Sequence, residues 1–218
     1  NPLIIHVPDR NMAARFADIS QSETQKLMNI FWPGPLTLVV PKVPNAGLAS
    51  SVTAGLDTIA IRCPRGPMAD IAKLADRPLA APSANLSGKI SATHLEDVLE
   101  DLAPYIGIAL DAGPTGVGLE STILKVEECK LTVLRPGTVT LEDLGNVCRG
   151  IPIEMAQTSQ NTTLQAPGMM ASHYAPRAKV VLNVKVPTAG HAYMAFGPVQ
   201  TDTDATSHTL YQLSVSFD

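Results

Sequence analysis

Leu79-Ala80-Ala81-Pro82-Ser83-Ala84-Asn85-Leu86-Ser87-Gly88 begins as a short apolar run and breaks at a proline into hydroxyls, an amide and a glycine. The run suits a short buried strand over residues 79–81. Residues 82–88 read as the loop at its carboxyl end, where open α/β sheets bind ligands. Ser83 and Asn85 can donate to phosphate oxygens there without adding net charge, although the same residues also serve plain turns and helix caps. Working upstream, residues 3–7, 36–40 and 58–62 are further strand-like runs, and Arg62 closes the last. Ser20-x-x-Glu23 has the form of a capping box, with Leu27, Met28, Ile30 and Phe31 following at helical spacing. Pro33-Gly34-Pro35 must stop that helix near Trp32. Another short helix is expected over 68–75.

Downstream, Thr93-x-x-Glu96 opens a helix to about Leu102. Residues 108–111 read as a strand ending in Gly113-Pro114-Thr115-Gly116. Residues 121–126 and 131–134 read as a hairpin, and 140–149 as a helix. Strands and helices alternate irregularly, so the expected fold class is α/β, with α+β character and a twisted mixed sheet. From residue 151 to about 165 the pattern fades into Gln, Thr, Ser and Asn, as in a linker. Strand-like runs at 180–184, 192–196 and 210–215 come after it, too short together for an independent core.

The chain has 218 residues, 45% of them hydrophobic and 17% charged, with a formal net charge of −4. This argues for a folded globular chain and against duplex nucleic acid held by bulk charge. No apolar run approaches the ~20 residues that span a bilayer. The start at Asn1-Pro2-Leu3 shows neither a basic leader nor an initiator Met and reads as a chain entered partway through. Cys63, Cys129 and Cys148 are far apart and form no C-x-x-C, so neither a disulfide framework nor a zinc site is expected. Each is read as a small buried apolar residue. A reducing cytoplasm fits.

There is no P-loop, no Rossmann glycine fingerprint, no G-x-S-x-G elbow and no H-E-x-x-H. What remains is a set of polar residues just beyond strand ends. Arg62 offers a rigid fork to a carboxylate or phosphate, or is a plain surface arginine. Glu120-Ser121-Thr122 enters a strand with hydroxyls that face a cleft or pair within the sheet. Arg135-Pro136-Gly137 holds a guanidinium at a turn, aimed at phosphate or paired with an acid. His173-Tyr174-Ala175-Pro176 puts an aromatic and a histidine into a bland linker, either folding over a ligand or anchoring the linker. Together these describe a pocket with two arginines, several hydroxyls and no carboxylate pair. Such a pocket suits an anionic substrate carrying phosphate and carboxylate groups, and does not suit glycoside hydrolysis.

The order of motifs closely resembles the YrdC-like threonylcarbamoyl-AMP synthases. The motifs are Phe31-Trp32-Pro33-Gly34-Pro35-Leu36-Thr37, Ile59-Ala60-Ile61-Arg62-Cys63-Pro64, Ala81-Pro82-Ser83-Ala84-Asn85-Leu86-Ser87-Gly88, Glu120-Ser121-Thr122-Ile123 and Leu134-Arg135-Pro136-Gly137. Pro167-Gly168-Met169 and His173-Tyr174-Ala175-Pro176 look like the linker of the long form, which carries an extra C-terminal domain. The resemblance implies helices around a concave cleft, with a catalytic domain over 1–150 that is truncated at its N-terminus. It also implies a linker lying over the active site (151–178) and a partial C-terminal α/β domain (179–218).

It implies synthesis of threonylcarbamoyl-adenylate and pyrophosphate from L-threonine, bicarbonate and ATP, with Mg2+ accompanying the ATP. The amine is carboxylated, and the carbamate then attacks the α-phosphate. The product serves a downstream transferase machinery that modifies tRNA, with weak or no direct tRNA binding, no membrane and a cytoplasmic setting. His6, Arg62, Ser83 and Ser121 would line the threonine pocket. Thr58, Asn85, Thr93, Arg135 and Tyr174 would contact ATP. Arg62 would clamp the amino-acid carboxylate, Asn85 and Arg135 would hold phosphates, and Tyr174 would exclude water. No catalytic residue and no protein metal ligand is assigned. The resemblance also implies an N-terminal segment with a Thr-rich motif and with Lys and Arg that contact ATP and threonine, expected to be missing before Asn1, and Met169-Met170-Ala171-Ser172 stands where many relatives carry basic residues. Two other readings share the motifs: a carbamoyl-adenylate enzyme of hydrogenase maturation, and a non-catalytic tRNA- or double-stranded-RNA-binding module.

Overall fold

The computed structural model describes residues 2–156, 166–167, 180–182, 184, 192–196 and 209–213. The chain forms two compact units, 1–176 and 177–218. In the second, β8 (Ala192–Phe196) and β9 (Thr209–Leu213) pair in parallel. Among the described residues no helix is long and apolar enough to cross a membrane.

The first unit is built on one mixed sheet. In chain order it has β1 (Ile4–His6), α1 (Arg10–Ala14), α2 (Ser22–Phe31), β2 (Leu36–Pro41), α3 (Ser50–Thr53), β3 (Thr58–Arg62), α4 (Pro67–Ala75) and β4 (Leu79–Ala81). Then come α5 (Leu95–Leu102), β5 (Thr122–Val126), β6 (Leu131–Arg135), α6 (Leu141–Val147) and β7 (Ile153–Met155). The spatial order is β4-β1-β3-β2-β5-β6-β7. Pairings β1–β3, β2–β5 and β6–β7 are parallel, while β1–β4, β2–β3 and β5–β6 are antiparallel.

The two-residue period of a strand divides this sheet into two faces. Ile5, Leu38, Ile61, Leu124 and Val133 share one buried cluster with Met12 and Ala13 of α1, Leu27 and Met28 of α2, and Leu144 of α6. Ile4, Val39, Ala60 and Ile123 form a second, smaller cluster with Ala166. The same alternation that feeds helices onto one face leaves His6, Thr37 and Arg62 on the other.

Several expectations need correction. Ser20 does not cap α2: its hydroxyl bonds Asp18 at 2.7 Å, and the N-cap position is Gln21. The box at the start of α5 sits one residue later than expected. Asp97, not Glu96, accepts from the backbone N–H groups of Thr93 and His94, each at 3.0 Å. β4 is an edge strand, half-buried rather than buried, because β1 is its sole neighbour in the sheet. Residues 108–111 form no strand. Nothing among the described residues pairs with them, and Ile108 is 91% exposed. The start of the expected linker is a strand, β7, paired with β6. Cys63 and Cys148 are buried as expected, but Cys129 lies exposed in the bend between β5 and β6. The short helices α1 and α3 were not legible. Of the three runs in the second unit, 192–196 is a strand as read, the run read over 210–215 is in a strand from 209 to 213 with 214–215 outside the described residues, and the described residues of 180–184 are not in a strand.

Two glycines separate packing from propensity. A Cβ on Gly137 would fall within 3.0 Å of the backbone of Glu120, Ser121 and Thr122, whereas one on Gly145, inside α6, meets nothing within 4 Å. Gly137→Ala is therefore expected to destabilise by about 1–3 kcal/mol or more, since backbone cannot yield as a side chain can. Gly145→Ala is expected to stabilise by roughly 0.8–1 kcal/mol through helix propensity. Urea denaturation of the two variants checks both signs, and Gly137→Ala without loss of stability would contradict the close approach.

Candidate active site

On the second face of the sheet lies a cavity of about 480 Å³. His6, Arg62, Ser83, Asn85, Ser121 and Arg135 all line it, together with Glu120 and Pro167. Strand register explains the row at its floor. His6 pairs with Arg62 across β1–β3, and Thr37 pairs with Arg62 across β2–β3, so the three residues lie side by side on adjacent strands.

Each cation is held by an oxygen from a neighbouring strand or loop. Nε of Arg62 donates to the Gly34 carbonyl at 2.9 Å, which leaves its Nη groups as the remaining donors. Gly34 belongs to the Pro33-Gly34-Pro35 stop after α2, where the Trp32–Pro33 peptide is cis. A Cβ on Gly34 would strike the Phe31 carbonyl oxygen, so only glycine fits there. Arg135, 9% exposed, donates through Nε and Nη2 to the Ser121 carbonyl at 3.2 and 2.9 Å. Its Nη2 also meets the Ser121 hydroxyl at 3.1 Å. That hydroxyl is in turn 2.7 Å from Thr37 Oγ1. Burial pulls the Arg62 pKa down, and the neighbouring Arg135 charge pulls it further.

His6 is 7% exposed. Its Nδ1 lies 3.2 Å from the Leu79 carbonyl. A carbonyl only accepts, so Nδ1 carries the proton and Nε2 is left as an acceptor. Burial lowers the pKa to about 4; the Leu79 bond opposes that shift and the Arg62 charge adds to it. The ring is thus neutral at neutral pH.

The remaining expected residues fare differently. Ser83 is exposed at the cavity mouth. Asn85 also lines the cavity. Its Nδ2 is spent on the carbonyls of Leu86 (2.9 Å) and Lys89 (3.1 Å) in its own loop. Thr58 opens β3, four residues from Arg62, and is not among the lining residues; at ~3.3 Å per residue it sits about 13 Å away. Thr93 is also outside the lining, its hydroxyl engaged with His94 and Asp97. Tyr174 lies outside the described residues. Sequence reasoning missed Thr37 and the Gly34 carbonyl as supports, though both sit inside a motif that it singled out. It also gave no role to Glu120, whose carboxylate accepts from Ser91 Oγ and so ties the loop after β4 to the entry of β5. Ala166, fully buried in the second cluster, and Pro167 bring the chain after β7 back onto this face.

A mixed sheet covered by helices on one face, with two anchored guanidiniums and several hydroxyls in a cleft on the other, is a frame with donors of the kind that suits anionic groups. Comparison with known proteins narrows the class. Residues 1–137 match the Sua5/YciO/YrdC family, described as "Telomere recombination", and residues 139–212 match the "Threonylcarbamoyl-AMP synthase, C-terminal domain". The chain belongs to the Sua5/YciO/YrdC family. A threonylcarbamoyl-AMP synthase of Bacillus subtilis is 42% identical over 183 residues, covering 84% of this chain and 53% of the relative. One from Pyrococcus abyssi is 42% identical over 184 residues, covering 84% and 54%. The chain therefore spans about half the length of the curated relatives it matches. Among solved structures, P. abyssi Sua5 complexed with L-threonine superposes with a TM-score of 0.83 at 33% identity, over 99% of this chain and 67% of that one. Escherichia coli YciO, at 16% identity and a TM-score of 0.58 over 66% of this chain and 69% of its own, shares the fold.

The low pKa of His6 has a stability consequence. An unfolded histidine titrates near 6.5. Above that pH both states are neutral and the contribution is complete. As pH falls from about 6.5 to about 4, the unfolded chain takes up a proton that the folded one refuses, and stability drops by on the order of 3 kcal/mol from this group. Denaturation midpoints measured across that window should fall more steeply for the parent than for His6→Asn. An NMR titration should show the His6 ring still neutral at pH 5, and a ring titrating near 6.5 would refute the assignment.

Proposed function

We propose that the protein acts as a threonylcarbamoyl-AMP synthase, joining L-threonine, bicarbonate and ATP into threonylcarbamoyl-adenylate with release of pyrophosphate. The observation that carries this reading is the convergence of His6, Arg62, Ser83, Asn85, Ser121 and Arg135 on one cavity from five separate parts of the chain. The names of the relatives at 42% identity and the threonine complex of the structural neighbour support it.

In this reading the Nη groups of Arg62 take the amino-acid carboxylate as a bidentate pair. Ser83 and Ser121 add hydroxyl contacts, and the neutral His6 offers Nε2 to an N–H or O–H of threonine. Arg135 neutralises charge on the nucleotide. Threonine loses a proton and its amine displaces water from bicarbonate, giving the carbamate. A carbamate oxygen then attacks the α-phosphorus, and the bond to the β-phosphate breaks with pyrophosphate leaving. Such a sequence relies on positioning and charge neutralisation rather than on a covalent enzyme intermediate. The segment from Ala166 and Pro167 through Tyr174 is proposed to cover the cleft and keep water from the labile carbamate and adenylate. A cytoplasmic setting and a downstream transferase acting on tRNA belong to the same proposal.

The full-length protein is expected to release pyrophosphate from ATP and bicarbonate only when threonine is present, and release independent of threonine would sink the reading. Arg62→Ala should raise the threonine dissociation constant about 10- to 100-fold, as for the loss of a charged hydrogen-bonded pair, with a smaller effect on ATP. Calorimetry with each ligand decides, and equal losses for both would remove Arg62 from the carboxylate.

A further inference from the structure

Thr37 lies on β2, the central strand of the sheet, with Arg62 opposite it on β3 and Ile123 opposite it on β5. It is fully buried and is not among the residues that line the cavity. A valine would fill much the same space in a strand without taking a polar atom out of water. The hydroxyl therefore needs a reason, and its geometry supplies one. Among the described residues Thr37 Oγ1 has one hydrogen-bond partner, the Ser121 hydroxyl at 2.7 Å. Ser121 does line the cavity.

The direction of that bond follows from counting protons. A hydroxyl has one proton and two lone pairs, and a guanidinium only donates. Arg135 Nη2 donates to Ser121 Oγ at 3.1 Å, which fills one of the Ser121 lone pairs. If Ser121 donated to Thr37, the Thr37 proton would be buried with no acceptor in reach, and buried polar groups are paired. Thr37 is therefore the donor. Ser121 Oγ then accepts from Thr37 and from Arg135, and both its lone pairs are taken. Its own proton is what it has left to offer the cavity.

We infer that Thr37 is a positioning residue that fixes Ser121 as a hydrogen-bond donor toward an oxygen of the bound amino acid. This rests on the synthase reading for the identity of that ligand. The floor of the cleft then has a set polarity. His6 Nε2 offers an acceptor from β1, Ser121 offers a donor from the entry of β5, and the Arg62 fork lies between them. Without the Thr37 hydroxyl, Ser121 can turn its proton inward and present an acceptor instead. Arg135 keeps its bonds to the Ser121 carbonyl in either case, so the effect belongs to the amino-acid side.

Calorimetry on the full-length protein with L-threonine and with ATP tests this. Thr37→Val, which removes the hydroxyl and keeps the branched shape, should weaken threonine binding about 3- to 10-fold, as for the loss of one neutral hydrogen bond, with a smaller effect on ATP. Thr37→Ser, which keeps the hydroxyl and removes the methyl, should recover most of the threonine affinity. Ser121→Ala should lose at least as much as Thr37→Val, and adding Thr37→Val to Ser121→Ala should bring no further loss, because the two act through one bond. Threonine affinity in Thr37→Val equal to the parent's would overturn the inference, and so would losses that add in the double variant. Thr37→Ser as impaired as Thr37→Val would make the methyl the group that matters, a packing role, and overturn it too. A parent that binds no threonine would overturn the synthase reading along with it.

Discussion

Two like charges share one hollow, and the cleft is organised around keeping them there. A guanidinium withdrawn from water is costly unless oxygens surround it. Arg62 is anchored to the Gly34 carbonyl and Arg135 to the carbonyl and hydroxyl of Ser121, and the Glu120 carboxylate lines the same hollow. Burial lowers the Arg62 pKa, and the neighbouring Arg135 charge lowers it further. In the proposed synthase reading, a substrate bearing a carboxylate and phosphates supplies countercharge to donors that neighbouring oxygens already hold in place.

The sheet makes this possible through its period. Residues of one parity close the main core under α1, α2 and α6, and residues of the other parity carry both a small apolar cluster and the polar row. Arg135 is the exception that needed a device. Strict alternation along Leu131, Val133 and Arg135 would drive the guanidinium into the main core. A register shift between Ile123 and Leu124 sets Arg135 opposite Ile123 while Val133 stays opposite Leu124. Bulges commonly re-aim a side chain in this way. Here the irregularity separates a charge from the apolar face by one residue.

Much of this was legible beforehand, for identifiable reasons. β1, β2, β3, the β5–β6 hairpin, α2 and α4 carry their signals locally, as apolar runs, helical spacing and Pro-Gly stops. The polar residues after strand ends pointed to a cleft because chain direction decides which loops converge. What failed was non-local. Residues 108–111 have the composition of a strand, but composition does not supply a pairing partner. β7 hid in a polar stretch because an edge strand can be polar and still pair. Asn85 was expected at the cleft and lines it, but the direction of its amide was not legible, since that depends on which carbonyls its own loop presents. Thr37 and Gly34 act by supporting others, and support is visible only once the neighbours are known.

β4 joins these threads. It is three residues long, at the sheet edge, and its first carbonyl fixes the His6 tautomer while its last residue leads into the loop of Ser83 and Asn85. Among the described residues an edge strand this short is held by one ladder, that to β1. A shift of the loop that draws on Leu79 must also lengthen or shorten the bond to His6 Nδ1. The acceptor nitrogen of His6 and the loop that carries Ser83 and Asn85 are therefore joined through one short segment.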